Sequence, residues 1–362
     1  MPPDRRLERQ EALRAALVQE GIDGLLVTHL PNIRYLTGFT GSAALLLLRP
    51  DATILITDFR YAVQAPAEAG LAAVVEIDQK SVWERLGRIL GSHPISTLGI
   101  EAHALTVRDA ERVSGLSRNR VVPTSAELVE QLRTVKSPEE VAAIRDAASL
   151  AQGALAEVLP RVRVGQSERE IGAMLEEALR RHGSEWHPFP TIVASGPRSA
   201  LPHARTSPRT VGLGEWLLLD FGAQVDGYCA DLTRTVVVGR ADERQRTIHD
   251  LVRTAQSRAL EHLRAGMTGR EGDALARDVI AARGFGEAFG HSLGHGLGLE
   301  VHEAPRVAPT MVTPLPAHAV VTVEPGIYLP GWGGVRLEDD LYLGPDGPER
   351  LSDGKTELLE LV

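Results

Sequence analysis

Between Arg5 and Gln19 apolar residues recur among charges at helical spacing, which predicts an amphipathic helix. The apolar run from Gly24 to Val27 reads as a short strand, Pro31 and Asn32 as a turn, and Ala43 to Leu48 and Thr53 to Thr57 as further strands. Helices alternating with short strands predict a small α/β domain over residues 1–130. A second folding unit, 131–362, opens with Ser137-Pro138-Glu139-Glu140. Ser137 can cap a helix, Pro138 suits its first position, and Glu140 can close a capping box. Ser167 and Glu170 repeat the box ahead of Ile171, Leu175, Ala178 and Leu179, which share one helical face that stops at Gly183.

The second unit says this twice. Ala151-Gln152 through Gly165 to Gly183 has an echo at Ala255-Gln256 through Gly266 to Gly284, and each pair of predicted helices leads on to strands bearing a carboxylate. Trp216 to Phe221 and Tyr228 to Val238 predict a hairpin around Gln224-Val225-Asp226-Gly227. His318 to Glu324 and Val335 to Leu343 predict another around Leu329 to Gly334. The fold class is therefore α+β, a larger domain of two similar halves preceded by a smaller α/β domain.

With the first turn centred between Val225 and Asp226, Asp220 is expected opposite Asp231. With the second centred on Gly331, Glu324 falls opposite Glu338. Opposed residues have Cβ atoms about 5 Å apart, so like charges there destabilise a sheet unless a cation offsets them. Two divalent ions about 4 Å apart, bridged by carboxylates, would do so.

Composition narrows the ligand chemistry. The single cysteine, Cys229, excludes internal disulfides and a thiolate cage, leaving carboxylates and imidazoles as metal donors. His291 and His295 supply imidazoles within a glycine-rich stretch, Gly290 to Gly298, where backbone can approach an ion or substrate closely. The 362 residues favour two domains over one. A formal charge of −9 argues against a surface built to neutralise nucleic-acid phosphates. Met1 to Gln10 is charged where a secretory signal is apolar, and no apolar run is long enough to span a bilayer, so a cytoplasmic protein without a membrane partner is expected.

These residues resemble the Xaa-Pro peptidase branch of the pita-bread-fold metallopeptidases, prolidase and aminopeptidase P. The resemblance rests on Asp220 and Asp231 in DFGAQVDGYCADLTRT, His295 in FGHSLGHGLGLEVHEAPR, Glu324 in VEPGIY, Glu338 in VRLED and His203 in SGPRSALPHA. NIRYLTGFTGS in the first domain resembles the creatinase-like N-terminal domain of that branch. One position departs from the pattern: Cys229 stands where a small polar residue is expected, and it reads as a buried strand residue. Methionine aminopeptidase shares the fold and ligands, but the additional N-terminal domain and the HEAPR segment argue against it. The complete ligand set argues against a creatinase-like hydrolase and against a non-catalytic binding module.

The resemblance implies two divalent ions, manganese with cobalt or zinc as alternatives. Asp220 would chelate one, Asp231 and Glu338 would bridge both, and His295 and Glu324 would complete the shells. It implies that Glu324 also shuttles a proton, that His302 stabilises the tetrahedral intermediate, and that His203 and His291 line the proline side. Phe189 reads as an apolar wall. Arg336 reads as a salt-bridge former beside the pocket, and Arg306, with Arg34 as a second candidate, as the partner of a substrate carboxylate. The expected substrate is a small peptide with proline at its second position, and the expected assembly a homodimer. A buried arginine meeting that carboxylate makes an Xaa-Pro dipeptidase the expected activity; the alternative is an Xaa-Pro aminopeptidase acting on longer peptides, which would leave that side open.

Overall fold

The computed structural model describes residues 3–92, 95–117, 120–124, 127–352 and 354–361. The chain separates into two compact units, Met1–Arg133 and Thr134–Val362.

In the first unit the elements run α1 (Pro3–Gln19), β1 (Gly24–Val27), α2 (Leu30–Thr37), β2 (Ala44–Leu48), β3 (Thr53–Asp58), α3 (Gln64–Ala69), β4 (Val74–Asp78), α4 (Val82–Ser92), β5 (Thr97–Glu101), α5 (Val107–Leu116), β6 (Arg120–Thr124) and α6 (Leu128–Thr134). The six strands form one mixed sheet in the order β4-β3-β2-β1-β5-β6. Leu26, Leu45, Leu47, Ile56, Leu86 and Leu98 fill a core on one side of it. Pro31 opens α2 instead of making a turn. Proline suits a helix's first turn, Ile33, Tyr35 and Leu36 bury one side of the helix, and Gly38 closes it at φ 80°.

The second unit contains the predicted duplication. Helices α7 (Pro138–Val158) and α8 (Glu168–His182) start on the capping boxes of Ser137 with Glu140 and Ser167 with Glu170. Helices α9 (Glu243–His262) and α10 (Gly269–Ala281) repeat the pair and start on boxes of their own, Asp242 with Gln245 and Thr268 with Glu271. Gly183 and Gly284 both follow their helices at positive φ, 110° and 83°.

Strands β7 (Ile192–Ser195), β8 (Glu215–Phe221), β9 (Gln224–Val225), β10 (Tyr228–Cys229) and β11 (Leu232–Val238) belong to the first half. Strands β12 (Gly294–Gly296), β13 (Glu303–Val307), β14 (Val320–Val323), β15 (Gly326–Leu329), β16 (Gly333–Arg336), β17 (Asp339–Gly344) and β18 (Gly347–Arg350) belong to the second. The terminal β19 (Glu360–Leu361) returns to pair with β11. Two larger sheets result, β19-β11-β8-β7 and β13-β12-β14-β17-β18, with two short ribbons, β9-β10 and β15-β16.

The first hairpin differs from expectation by two residues. Val225 pairs with Tyr228 and Asp220 with Thr233, so the turn is centred between Asp226 and Gly227. Those two residues carry positive φ, 50° and 78°, the requirement of a tight hairpin turn. Asp231 is therefore a diagonal neighbour of Asp220 on the same face, not its opposite. The second hairpin keeps the expected centre. Gly326 pairs with Arg336 and Val323 with Asp339, which brings Glu324 level with Glu338 in the gap between the two ribbons of pairing.

Loss of one capping box isolates how much the helical frame depends on it. Ser167 Oγ accepts from the Glu170 N–H at 3.2 Å, and Glu170 returns a 2.7 Å bond from the Ser167 N–H. Ser167→Ala should therefore lower unfolding free energy by about 1 kcal/mol in a urea titration, with metal content unchanged. An unmoved urea midpoint would show that tertiary packing alone fixes the start of α8.

Candidate metal centre

Alternation along the two hairpins decides which side chains meet. In β8, Leu217, Leu219 and Phe221 enter the core beneath α7 and α8, while Trp216 packs into the core of the other half and Asp220 shares its face. In β11, Leu232, Val236 and Val238 take the first core, so Asp231, Thr233 and Thr235 point the other way. In the second half Val321, Val323, Val335, Leu337 and Leu341 are core, and Thr322, Glu324, Arg336, Glu338 and Asp340 occupy the alternate positions. The polar faces of the two hairpins confront each other. The Glu338 N–H donates to the Thr233 carbonyl at 3.1 Å, and Thr233 Oγ1 donates to Glu338 Oε2 at 2.6 Å.

His295 reaches this face from β12. Gly294 permits the approach, because a Cβ there would lie 1.9 Å from the Thr322 carbonyl oxygen. The His295 backbone N–H is fixed on Thr322 Oγ1 at 3.1 Å, and its Nδ1 lies 3.1 Å from the Gly296 carbonyl. With Nδ1–H donating, Nε2 keeps its lone pair, and that nitrogen lies 3.6 Å from Glu324 Oε1 and 3.8 Å from Asp231 Oδ2. One donor atom each from Asp231, His295 and Glu338 lie within 4.8 Å of one another.

The electrostatics of this group are those of a site for cations. Burial first, then the neighbouring Glu338 and Asp220, hold the Asp231 carboxyl well above its usual range. Burial and then Glu338 do the same to Glu324, and burial and then Asp220 push Glu338 up to about 8. His295 and His291 are both lowered to about 4, chiefly by burial, so their imidazoles are neutral donors at pH 7. Among the described residues Asp220 Oδ1 and Asp231 Oδ1 are buried without a hydrogen-bond partner. Carboxylates that repel one another, buried oxygens lacking a donor, and a neutral imidazole fit divalent ions. Asp220, Asp231, His295, Glu324 and Glu338 are the residues that could hold them.

Around this group the remaining residues divide into held and exposed. Arg336, 3% exposed, forms an ion pair with Asp220 Oδ2 and donates to Thr233 Oγ1 at 3.1 Å, to Tyr328 Oη at 2.7 Å and to the Pro202 carbonyl at 3.3 Å. Its guanidinium is thus occupied within the protein, in keeping with a salt bridge and not with a contact to substrate. His291 Nε2 lies 2.9 Å from Tyr328 Oη, so one hydroxyl joins His291 to Arg336. Tyr328, Thr233 and Thr322 were not legible in the sequence as site residues, since a hydroxyl gains such a part only from its tertiary neighbours. Asp340, which accepts the Asp231 N–H at 3.2 Å, was likewise missed; an acidic residue two positions from Glu338 was the available signal.

His302 is exposed, with its ring 4.3 Å from that of His295, and its pKa is lowered by partial burial and then by Arg306. His203 is also exposed. Phe189 is half-buried against Gly222, where an added Cβ would lie 3.0 Å from its ring, beside the strand end that carries Asp220. Arg306 pairs with His295 across β12 and β13 and is exposed, contrary to the expectation of a buried carboxylate clamp. Arg34 lies half-buried on α2 of the first unit.

The raised carboxyl pKa values fix a pH dependence. An acid that binds its proton more tightly when folded costs stability as pH rises through the window between its ordinary and its folded pKa. For Glu338 that window runs from 4.5 to about 8. The stabilisation gained on adding Mn²⁺ should accordingly grow as pH rises across it, because the metal takes the place of those protons. Tm measured with and without Mn²⁺ between pH 5 and about 8 tests this; a gap that stays constant or shrinks would remove the carboxylates from metal binding.

Comparison with known proteins identifies the family. Residues 142–345 match the model of metallopeptidase family M24, and residues 9–135 match the creatinase/prolidase N-terminal domain. The uncharacterized peptidase YqhT of Bacillus subtilis is 41% identical, covering 97% of this chain and 99% of that protein. The solved structure of an Xaa-Pro dipeptidase from Bacillus anthracis is 40% identical with a TM-score of 0.95, over 98% of this chain and all of that one (100%). An X-Pro aminopeptidase from Thermotoga maritima is 38% identical with a TM-score of 0.90, over 97% and 99%. With one family model spanning most of the second unit, another most of the first, and relatives alike from end to end, the chain belongs to metallopeptidase family M24, in its branch with a creatinase/prolidase N-terminal domain.

Proposed function

We propose that this chain is a metal-dependent Xaa-Pro dipeptidase that hydrolyses the bond preceding proline, with two divalent ions held by Asp220, Asp231, His295, Glu324 and Glu338. The observation that carries the reading is the convergence of buried carboxylates from two related hairpins on the free Nε2 of His295. Carboxylate and imidazole donors suit manganese, with cobalt and zinc as alternatives. A cytoplasmic homodimer completes the reading.

When bound, such a pair of ions polarises the scissile carbonyl and makes hydroxide available near neutral pH. The protein's own groups supply the rest. Glu324, a half-buried carboxyl with a raised affinity for protons, takes one from the attacking water and passes it to the leaving proline nitrogen. His302 is held neutral and donates a hydrogen bond to the developing oxyanion. His203 and His291 flank the proline side, with His291 oriented by Tyr328, and Phe189 supplies an apolar wall. A peptidase for this bond must grip a tertiary amide without an N–H, so shape and carbonyl polarisation replace that donor.

A second reading, Xaa-Pro aminopeptidase, is favoured by the exposure of Arg306, since a guanidinium in water penalises a longer, neutral substrate less than a buried one does. Hydrolysis of an Xaa-Pro dipeptide and an Xaa-Pro-Yaa tripeptide, side by side with Mn²⁺, Co²⁺ or Zn²⁺, tests the two. The dipeptide should be preferred, and Arg306→Ala should narrow the preference by about tenfold. Equal rates on both peptides would make the chain an aminopeptidase.

Substitutions separate the roles. Asp231→Ala should abolish turnover and the binding of both ions at this centre. His302→Ala should lower kcat by about a hundredfold with metal content retained. A His302→Ala enzyme with the parent rate would exclude that side chain from the mechanism.

A further inference from the structure

We propose that the first unit holds a metal site of its own, a single transition-metal ion of the zinc class bound by His29, His103 and Glu130. The sheet topology creates the place for it. β1 and β5 are parallel neighbours, with Leu25 beside Gly99, yet they leave the sheet in opposite directions. β1 passes through α2 to β2 on one side, and β5 passes through α5 to β6 on the other. Such a divergence opens a crevice beyond the carboxyl ends of the two strands, the recurrent ligand position of open α/β sheets. His29 follows β1, His103 follows β5, and Glu130 reaches the same point from α6.

A buried polar frame holds the three backbones that carry these donors. Glu101, the last residue of β5 and 3% exposed, accepts the Thr28 and His29 N–H groups at 2.6 and 2.9 Å and the Asn32 amide at 2.7 Å. The fully buried Asn32 also donates to Glu130 and accepts from Arg133 Nη1 at 2.7 Å. The end of β1, the start of α2, the end of β5 and α6 are thereby tied together, and the donors are positioned before any ion arrives.

One donor atom from each of the three residues lies within 4.8 Å of the others. His103 Nε2 is 3.0 Å and His29 Nδ1 3.9 Å from the same Glu130 Oε1, and the two imidazole rings meet edge to face at 5.6 Å. Metal–ligand bonds of about 2.1 Å in a tetrahedron separate ligand atoms by about 3.4 Å, so small side-chain adjustments close the site. Two imidazoles and one carboxylate select zinc, cobalt or nickel over magnesium and calcium, which prefer oxygen shells. Three protein donors leave a fourth position, and since His103 is exposed that position opens to water or to a small anion. This centre shares no residue with the candidate catalytic site and stands apart from the peptidase reading.

The test uses the full chain and Zn²⁺ in equilibrium dialysis, read by elemental analysis. The parent should take up about three ions per chain and His103→Ala about two, and hydrolysis of an Xaa-Pro dipeptide should be unchanged in that variant. In an Asp231→Ala background, which empties the catalytic site, Co²⁺ should retain about one equivalent with a visible ligand-field band, and His103→Ala should remove both. Because His103 is exposed, its replacement leaves the fold intact, and Glu130→Gln provides an independent repeat. Equal Zn²⁺ uptake by the parent and His103→Ala, or the absence of a Co²⁺ band in the Asp231→Ala chain, overturns the proposal. Neither result bears on the peptidase assignment, which the activities of Asp231→Ala and His302→Ala address separately.

Discussion

Mutual repulsion among buried carboxylates is the constraint that organises the second unit. Asp220, Asp231, Glu324 and Glu338 stand on facing hairpins, and burial and proximity make each of the last three reluctant to ionise. A protein interior tolerates such a group only when protons, donors or cations offset the charge. Here the protein supplies a partial offset, with Arg336 on Asp220 and Thr233 on Glu338, and leaves one oxygen of Asp220 and one of Asp231 without a partner. The incompleteness is what suits the group to receive cations. Full satisfaction by arginine and hydroxyl donors would give a stable core with no affinity for metal.

Duplication supplies a simple route to that geometry. Each half carries two capped helices over one face of its sheet and turns the other face inward, so a single alternating pattern, repeated, produces two polar faces that must meet. The strand period of two then fixes which residues are available as ligands. A carboxylate one position earlier or later would enter a leucine- and valine-lined core, as the neighbours Leu219, Phe221 and Leu337 do.

Much of this was legible in the sequence, and the gaps have identifiable causes. The boxes at Ser137 and Ser167, the repeated helix pairs and the level pairing of Glu324 with Glu338 follow from local chemistry that tertiary contacts do not override. The register of the first hairpin was misjudged by two because Asp226-Gly227, the pair able to adopt positive φ, takes the turn, and that dipeptide was the signal to weigh. The error did not disturb the ligand set, since a shift of two returns every side chain to the same face. Arg306 could not be read as exposed, nor Arg336 as enclosed, because exposure depends on packing between segments distant in the chain. His29, His103 and Glu130 were invisible for the same reason: only the strand order of the first unit brings them together.

The histidines show how one residue type can serve two purposes a few positions apart. In His295 the Nδ1–H is taken by the Gly296 carbonyl, and Nε2 is left facing Asp231 and Glu324. In His291 the same nitrogen faces the Ser292 carbonyl, but Nε2 accepts from Tyr328, whose oxygen also receives Arg336. Burial keeps both rings neutral, so neither competes with a cation by carrying charge, and a hydroxyl engages the Nε2 of His291 while that of His295 faces carboxylates. Tyr328 therefore acts twice. It satisfies an imidazole that would otherwise offer a stray lone pair beside the candidate ligands, and it steadies the guanidinium that holds Asp220 in place.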